Sequence, residues 1–165
     1  AESKNKKLSQ ITACVLDRPR HKNIINKLKD LKVNLKLITD GDVAGALLVT
    51  KEIYNVDIYL GIGGGPEGVL AATALDAYNC NFQGRFLFKT INDINRAKQM
   101  GIKDLNKKYQ LNEIVKGESI FCATGITSGD LVKGVKFHDN RFQTYTFATQ
   151  KNGKIDILKK EVSIT

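Results

Sequence analysis

The chain has no tryptophan, one methionine, two prolines, two histidines and three cysteines in 165 residues, and each scarcity removes a class of explanation. Cys14, Cys80 and Cys122 are odd in number, widely spaced and without a C-x-x-C pair, which argues against a disulfide framework and a thiolate metal site. His21 and His138 are too far apart to suggest a histidine-based zinc site, so any metal here would be a hard cation bound through oxygen. No run approaches the roughly 18 to 20 apolar residues of a membrane span. The opening Ala1-Glu2-Ser3-Lys4-Asn5-Lys6-Lys7 also lacks the apolar core of a signal peptide, so a cytoplasmic protein with no membrane partner is expected.

A net charge of +9 raises the question of nucleic acid. The basic residues are scattered, and no aromatic platform is interleaved with them on which bases could stack. They read as solvated faces, with no nucleic-acid partner, whose field can still draw in phosphorylated anions.

What is present suits one α/β domain. A hydrophobic content of 42% in 165 residues is enough for a single core. The organisation expected is a basic N-terminal extension over 1–10 and one α/β domain over 11–165. Ile11 to Leu16, Val33 to Ile38 and Asp57 to Gly61 read as strands. Helices are expected after Pro19, with Ile24, Ile25 and Leu28 on one face, after Asp42 acting as N-cap, and after Pro66 through Ala77. Strand and helix alternating at this spacing imply a mostly parallel sheet with flanking helices.

Further on, Phe82 to Phe88 reads as a strand, Asn92 to Met100 and Leu111 to Val115 as helices ended by Gly101 and Gly117, and the last third as β-rich. Strands are expected at Ile120 to Ala123, Gly134 to Phe137, Phe142 to Ala148 and Lys154 to Ile164, with hairpin turns at Asp139-Asn140 and Asn152-Gly153. These strands are expected to form an antiparallel C-terminal extension of the same sheet system rather than a separate domain.

Three of the strands end in turns that carry chemistry. The first, Leu16-Asp17-Arg18-Pro19-Arg20-His21, places two guanidinium groups around a stiffening proline, a pattern suited to bidentate phosphate contacts. In isolation it reads more readily as a pair of surface arginines with His21 a solvated first-turn residue. The second, Thr39-Asp40-Gly41-Asp42, offers paired carboxylates for sugar hydroxyls, or simply a tight turn with a helix cap. The third, Gly61-Ile62-Gly63-Gly64-Gly65-Pro66-Glu67-Gly68, contains G-x-G-x-x-G. Glu67 sits where a dinucleotide pyrophosphate would lie, which disfavours that ligand unless a divalent cation bridges the two. The plain reading of Glu67 is a complement to the helix dipole.

Together the three turns resemble those of the class II fructose-1,6-bisphosphatases, whose cyanobacterial members also act on sedoheptulose-1,7-bisphosphate. Gln83-Gly84-Arg85, Thr124-Gly125-Ile126-Thr127 and Leu131-Val132-Lys133-Gly134-Val135 fit the same family. The resemblance implies the C-terminal half of a metal-dependent sugar-phosphatase fold. Arg18, Pro19, Arg20, Asp40, Gly41, Asp42 and Gly64 would be its substrate-binding residues and Glu67 a ligand of Mg²⁺ or Mn²⁺. It also implies gluconeogenic hydrolysis of fructose-1,6-bisphosphate at the 1-phosphate, by a homo-oligomer, with a missing N-terminal half that carries most metal-binding carboxylates. Alone, the chain is expected to be inactive. The alternative from a different class is a non-catalytic phosphosugar- or partner-binding module.

Overall fold

The computed structural model describes residues 1–163. Its first half is a three-stranded parallel sheet in the order β2-β1-β3, formed by β1 (Thr12–Leu16), β2 (Asn34–Ile38) and β3 (Ile58–Tyr59). The central strand β1 is buried from Ala13 to Leu16 because both faces of the sheet are covered, which is why it is written as an unbroken apolar run.

Helix α1 (Lys22–Asp30) covers one face, where Ile11, Ala13 and Val33 cluster with Leu28 and Leu35. Helix α2 (Asp42–Leu47) and the 3-10 turn Leu48–Thr50 cover the other, where Cys14, Leu48 and Val56 pack with Ile38 and Tyr59. Gly45 permits this approach, since a Cβ there would stand 2.5 Å from Ile38 Cδ1 and 3.0 Å from the Tyr59 ring.

Helix α3 (Gly65–Asp76) packs on α2 through small residues and meets a four-stranded antiparallel sheet on its other side. That sheet contains β6 (Ile120–Thr124), β7 (Lys136–His138), β8 (Arg141–Gln150) and β9 (Ile155–Ser163), with β8 pairing to each of the others. Leu47, Ala74, Leu75, Phe121 and Phe147 form the buried cluster that joins α2, α3 and this sheet. The layers therefore run α1, parallel sheet, α2 with α3, antiparallel sheet. The α/β class expected from the residues is present, but the sheet is not mostly parallel with an antiparallel extension: among the described residues the C-terminal strands pair only with one another and form a sheet of their own.

A smaller lobe holds β4 (Gln83–Gly84) paired with β5 (Tyr109–Gln110), α4 (Ile91–Gln99) and α5 (Leu111–Ile114). Thr90 and Asp93 close a reciprocal capping box at the start of α4: Thr90 Oγ1 accepts the Asp93 N–H at 3.1 Å, and Asp93 Oδ2 accepts the Thr90 N–H at 3.0 Å. Asp139 and Asn140 both adopt left-handed φ, 50° and 58°, as a two-residue hairpin between β7 and β8 requires. The Asn152-Gly153 turn is closed by the Gly153 N–H on the Gln150 carbonyl at 3.0 Å.

Several expected boundaries move. The strand expected over Phe82 to Phe88 shrinks to Gln83–Gly84, because Phe86 packs against the rings of Phe88 and Tyr109 instead of entering a ladder. The strand expected from Gly134 starts at Lys136, because Gly134 crosses the chain so closely that a Cβ on it would lie 2.6 Å from the Ser128 nitrogen. The last strand ends at Ser163, and Ile164 lies outside the described residues. The basic extension is anchored: Lys4 and Lys6 reach Asp57 at 3.3 and 2.7 Å.

Candidate functional site

The order β2-β1-β3 makes the gap between β1 and β3 a topological switch point, because the chain leaves β1 toward β2 and returns across it to β3. In open α/β sheets the crevice outside the carboxyl ends of strands at such a point is where ligands bind. The strands are parallel, so their C-terminal turns, Asp17–His21, Thr39–Asp42 and Leu60–Glu67, all emerge on that edge.

The first and third turns are joined by His21, which is fully buried. Its Nδ1–H donates to the Leu16 carbonyl at 2.7 Å, and its Nε2 accepts the Ile62 N–H at 2.8 Å. Nε2 also lies 3.0 Å from the Ile62 carbonyl oxygen, but a nitrogen that accepts one N–H cannot donate there, so this is proximity alone. That oxygen is taken by Arg20, whose Nε–H donates to it at 2.6 Å. Both polar groups of Ile62 are thus held by adjacent side chains of the first turn. The solvated His21 of the surface reading is overturned, because across-chain bonding to Ile62 draws it under the turn.

The second turn closes in from the other side. Gly41 adopts φ 78°, a left-handed conformation that suits glycine, and occupies the cap position itself, so Asp42 is the first helical residue and not the expected N-cap. Asp42 Oδ1 accepts the Val43 N–H at 2.9 Å, and Oδ2 lies against Gly63, 3.7 Å from where a Cβ would stand. Asp40 is exposed, with Oδ1 accepting the Gly41 N–H at 2.9 Å.

Gly64 caps α3, Gly65 and Pro66 start it, and Glu67 folds its carboxylate back over Gly64. Pro66 has no N–H, so the open donors of this first turn are the Gly65 and Glu67 amides. Arg18 stands exposed at the start of the 3-10 turn Pro19–His21, and its side chain makes no hydrogen bond or ion pair among the described residues. Tyr59 ends β3, with its hydroxyl 3.3 Å from where a Cβ on Gly61 would stand. Burial pushes its phenol up to about 12, reinforced by the charges of Asp42 and Cys14 and partly offset by Arg20.

Arg20, Asp42, Gly64 and Glu67 are therefore gathered around residues 62–64. Arg18 and Asp40 share the same sheet edge without contacting them. His21 and Tyr59 escaped sequence reasoning as parts of this site, because a histidine in an apolar junction carries no spacing signal for a bond to a residue 41 positions away. Two shallow hollows lie elsewhere, one of about 460 Å³ beside His138 and Glu161 and one of about 390 Å³ beside Arg85 and Phe88.

The sequence matches the family described as "Bacterial fructose-1,6-bisphosphatase, glpX-encoded" over residues 1–161. The chain belongs to this family. Among bacterial fructose-1,6-bisphosphatase relatives, a "Fructose-1,6-bisphosphatase class 2" of Haemophilus influenzae is 35% identical across 99% of the chain and 53% of its own length. A "D-fructose 1,6-bisphosphatase class 2/sedoheptulose 1,7-bisphosphatase" of Synechococcus sp. is 34% identical across 93% of the chain and 48% of its own length. A protein of the same name from Trichodesmium erythraeum is 32% identical over the same shares. The chain spans about half the length of the curated relatives it matches.

No helix among the described residues is long and apolar enough to cross a membrane. Nor do three or more His, Cys, Asp or Glu side chains gather there to hold a metal. Glu67 nevertheless fits as a single oxygen ligand: it is exposed, and it is held beside open amides where an anion would sit.

Proposed function

We propose that this chain is the substrate-binding part of a metal-dependent sugar bisphosphatase that hydrolyses the 1-phosphate of fructose-1,6-bisphosphate to fructose 6-phosphate and phosphate. Family membership supports the reaction class. The observation that carries the residue assignment is the clamping of Ile62 by Arg20 and His21, which draws the arginine turn and the glycine turn into one crevice with Asp42 and Glu67.

In this reading Arg20, oriented through Nε, presents its terminal nitrogens to a phosphate, and Arg18 adds a second guanidinium. Asp40 and Asp42 accept hydrogen bonds from sugar hydroxyls. The Gly65 and Glu67 amides, at the positive end of α3, meet phosphate oxygens. A carboxylate among these amides repels phosphate unless a cation lies between them, so Glu67 supplies one ligand to Mg²⁺ or Mn²⁺. When bound, that ion polarises the phosphoryl group and activates water. A hard divalent cation takes about six oxygens. The remaining ligands come from an N-terminal half of the kind that the longer relatives have room for.

Calorimetry with fructose-1,6-bisphosphate, with and without Mn²⁺, followed by phosphate release on adding an N-terminal half, tests the proposal. Binding that strengthens with Mn²⁺ and phosphate release on mixing are expected. Metal-independent binding with no release on mixing would make the chain a non-catalytic phosphosugar module. Failure to bind the sugar bisphosphate at all would end the reading.

A further inference from the structure

We infer that His21 is a positioning residue: in its Nδ1–H tautomer it fixes the glycine turn at residues 62–65 relative to the arginine turn, and thereby sets how tightly the crevice grips a sugar phosphate. The gripping half of this statement rests on the proposed function; the positioning half does not.

The argument is one of geometry. His21 is fully buried and uses both ring nitrogens, one on the carbonyl that ends β1 and one on the amide that opens the glycine turn. β3 itself is only two residues long and pairs with β1 at Ala13 and Cys14, so the sheet ladder does not reach the turn. Beyond the ladder, the Leu60 N–H on the Cys14 carbonyl, at 3.0 Å, is the last backbone bond between the two strands. His21 takes over two residues later, and Arg20 holds the same residue through its carbonyl, in the next peptide group. Without His21, the amides at 63–65 and the carboxylate of Glu67 would be tethered on one side only, through an exposed arginine.

Wild-type chain labelled with ¹⁵N should show a scalar coupling between the Ile62 amide nitrogen and His21 Nε2, with Nδ1 carrying the proton. Absence of that coupling overturns the inference without any substitution. Two variants then separate the nitrogens. In His21→Gln the side-chain oxygen can occupy the Nε2 position and accept the Ile62 N–H, whereas in His21→Asn the amide can reach only the Leu16 carbonyl. Amide shifts at 62–65 should stay near wild type in the glutamine variant and move in the asparagine variant. Affinity for fructose-1,6-bisphosphate should fall less than about threefold in the first and about tenfold or more in the second, the scale of one buried hydrogen bond.

Equal behaviour of the two variants would refute a positioning role. If the asparagine variant fails to fold, the wild-type coupling and the glutamine variant still decide the matter. A wild-type chain that shows the coupling but does not bind the sugar bisphosphate upholds the positioning role and sinks the proposed function.

Discussion

The carboxylate of Glu67 lies over Gly64 so closely that a Cβ on Gly64 would collide with Oε2. Gly64 has φ −70° and ψ 151°, a backbone conformation open to any residue, so it is the position of Glu67 and not chain strain that calls for glycine.

Gly64→Ala should therefore leave the fold nearly unchanged, by less than about 1 kcal/mol in urea unfolding, because only the end of a flexible side chain must move. Its effect should appear in the Mn²⁺ dependence of sugar-bisphosphate binding. Combined with Glu67→Gln it should be strongly non-additive, since both changes act on one carboxylate. Simple additivity would separate Gly64 from the role of Glu67.

Glu67→Gln in an enzyme completed with the N-terminal half should lower turnover by more than about a hundredfold, the several kcal/mol that a metal contributes to transition-state charge, while weakening sugar-phosphate binding less than about tenfold. Steady-state kinetics at limiting Mn²⁺ measures both. Unaltered turnover there would remove Glu67 from the metal site.

Gly45→Ala should destabilise the chain by about 1–3 kcal/mol, because the new methyl group meets Ile38 and the Tyr59 ring where α2 closes on the sheet. Chemical denaturation reads the loss. A variant as stable as wild type would mean that α2 and the sheet separate without cost.

Asp57 contributes to the acid limb of stability. Burial alone would raise its carboxyl, but Lys6, the Thr12 N–H and Lys4 outweigh that and hold it at about 2, against 3.8 as an ordinary aspartate. The folded form therefore has the lower pKa, so this contribution is present above about pH 4 and is lost as pH falls toward 2. Asp57→Asn should cost about 1 kcal/mol at pH 7, discounted because the Lys4 and Lys6 side chains are 48% and 40% exposed. It should also flatten the stability profile between pH 4 and 2. Parallel profiles for variant and wild type would assign the acid limb to other carboxylates.

The elements that were legible in the sequence share a short-range cause. The apolar run at β1, the stripe of Ile25 and Leu28 on α1, Pro66 at the head of α3 and the left-handed Asp139-Asn140 turn each follow from periodicity or local dihedral preference. So does the emergence of three charge- and glycine-bearing turns at one sheet edge, because each of them follows a strand of the parallel sheet. The errors had two causes, one an adjacent residue and one a distant part of the chain. Asp42 was displaced from the cap by the left-handed Gly41, and the Phe82 to Phe88 strand was shortened by ring packing with Tyr109.

By itself, then, the sequence determined that the chain is an α/β protein, which turns carry charge, and which family it resembles, since all three are written in neighbouring letters. The tertiary structure alone decided that Arg20 and His21 hold Ile62, that Asp42 lies against Gly63, and that Tyr59, its phenol pushed up by burial, comes near enough to Asp42 and Arg20 for their charges to act on it. These contacts join residues 17 to 42 positions apart in different strands and turns. Their existence depends on the register and order of β2, β1 and β3, which no local pattern encodes.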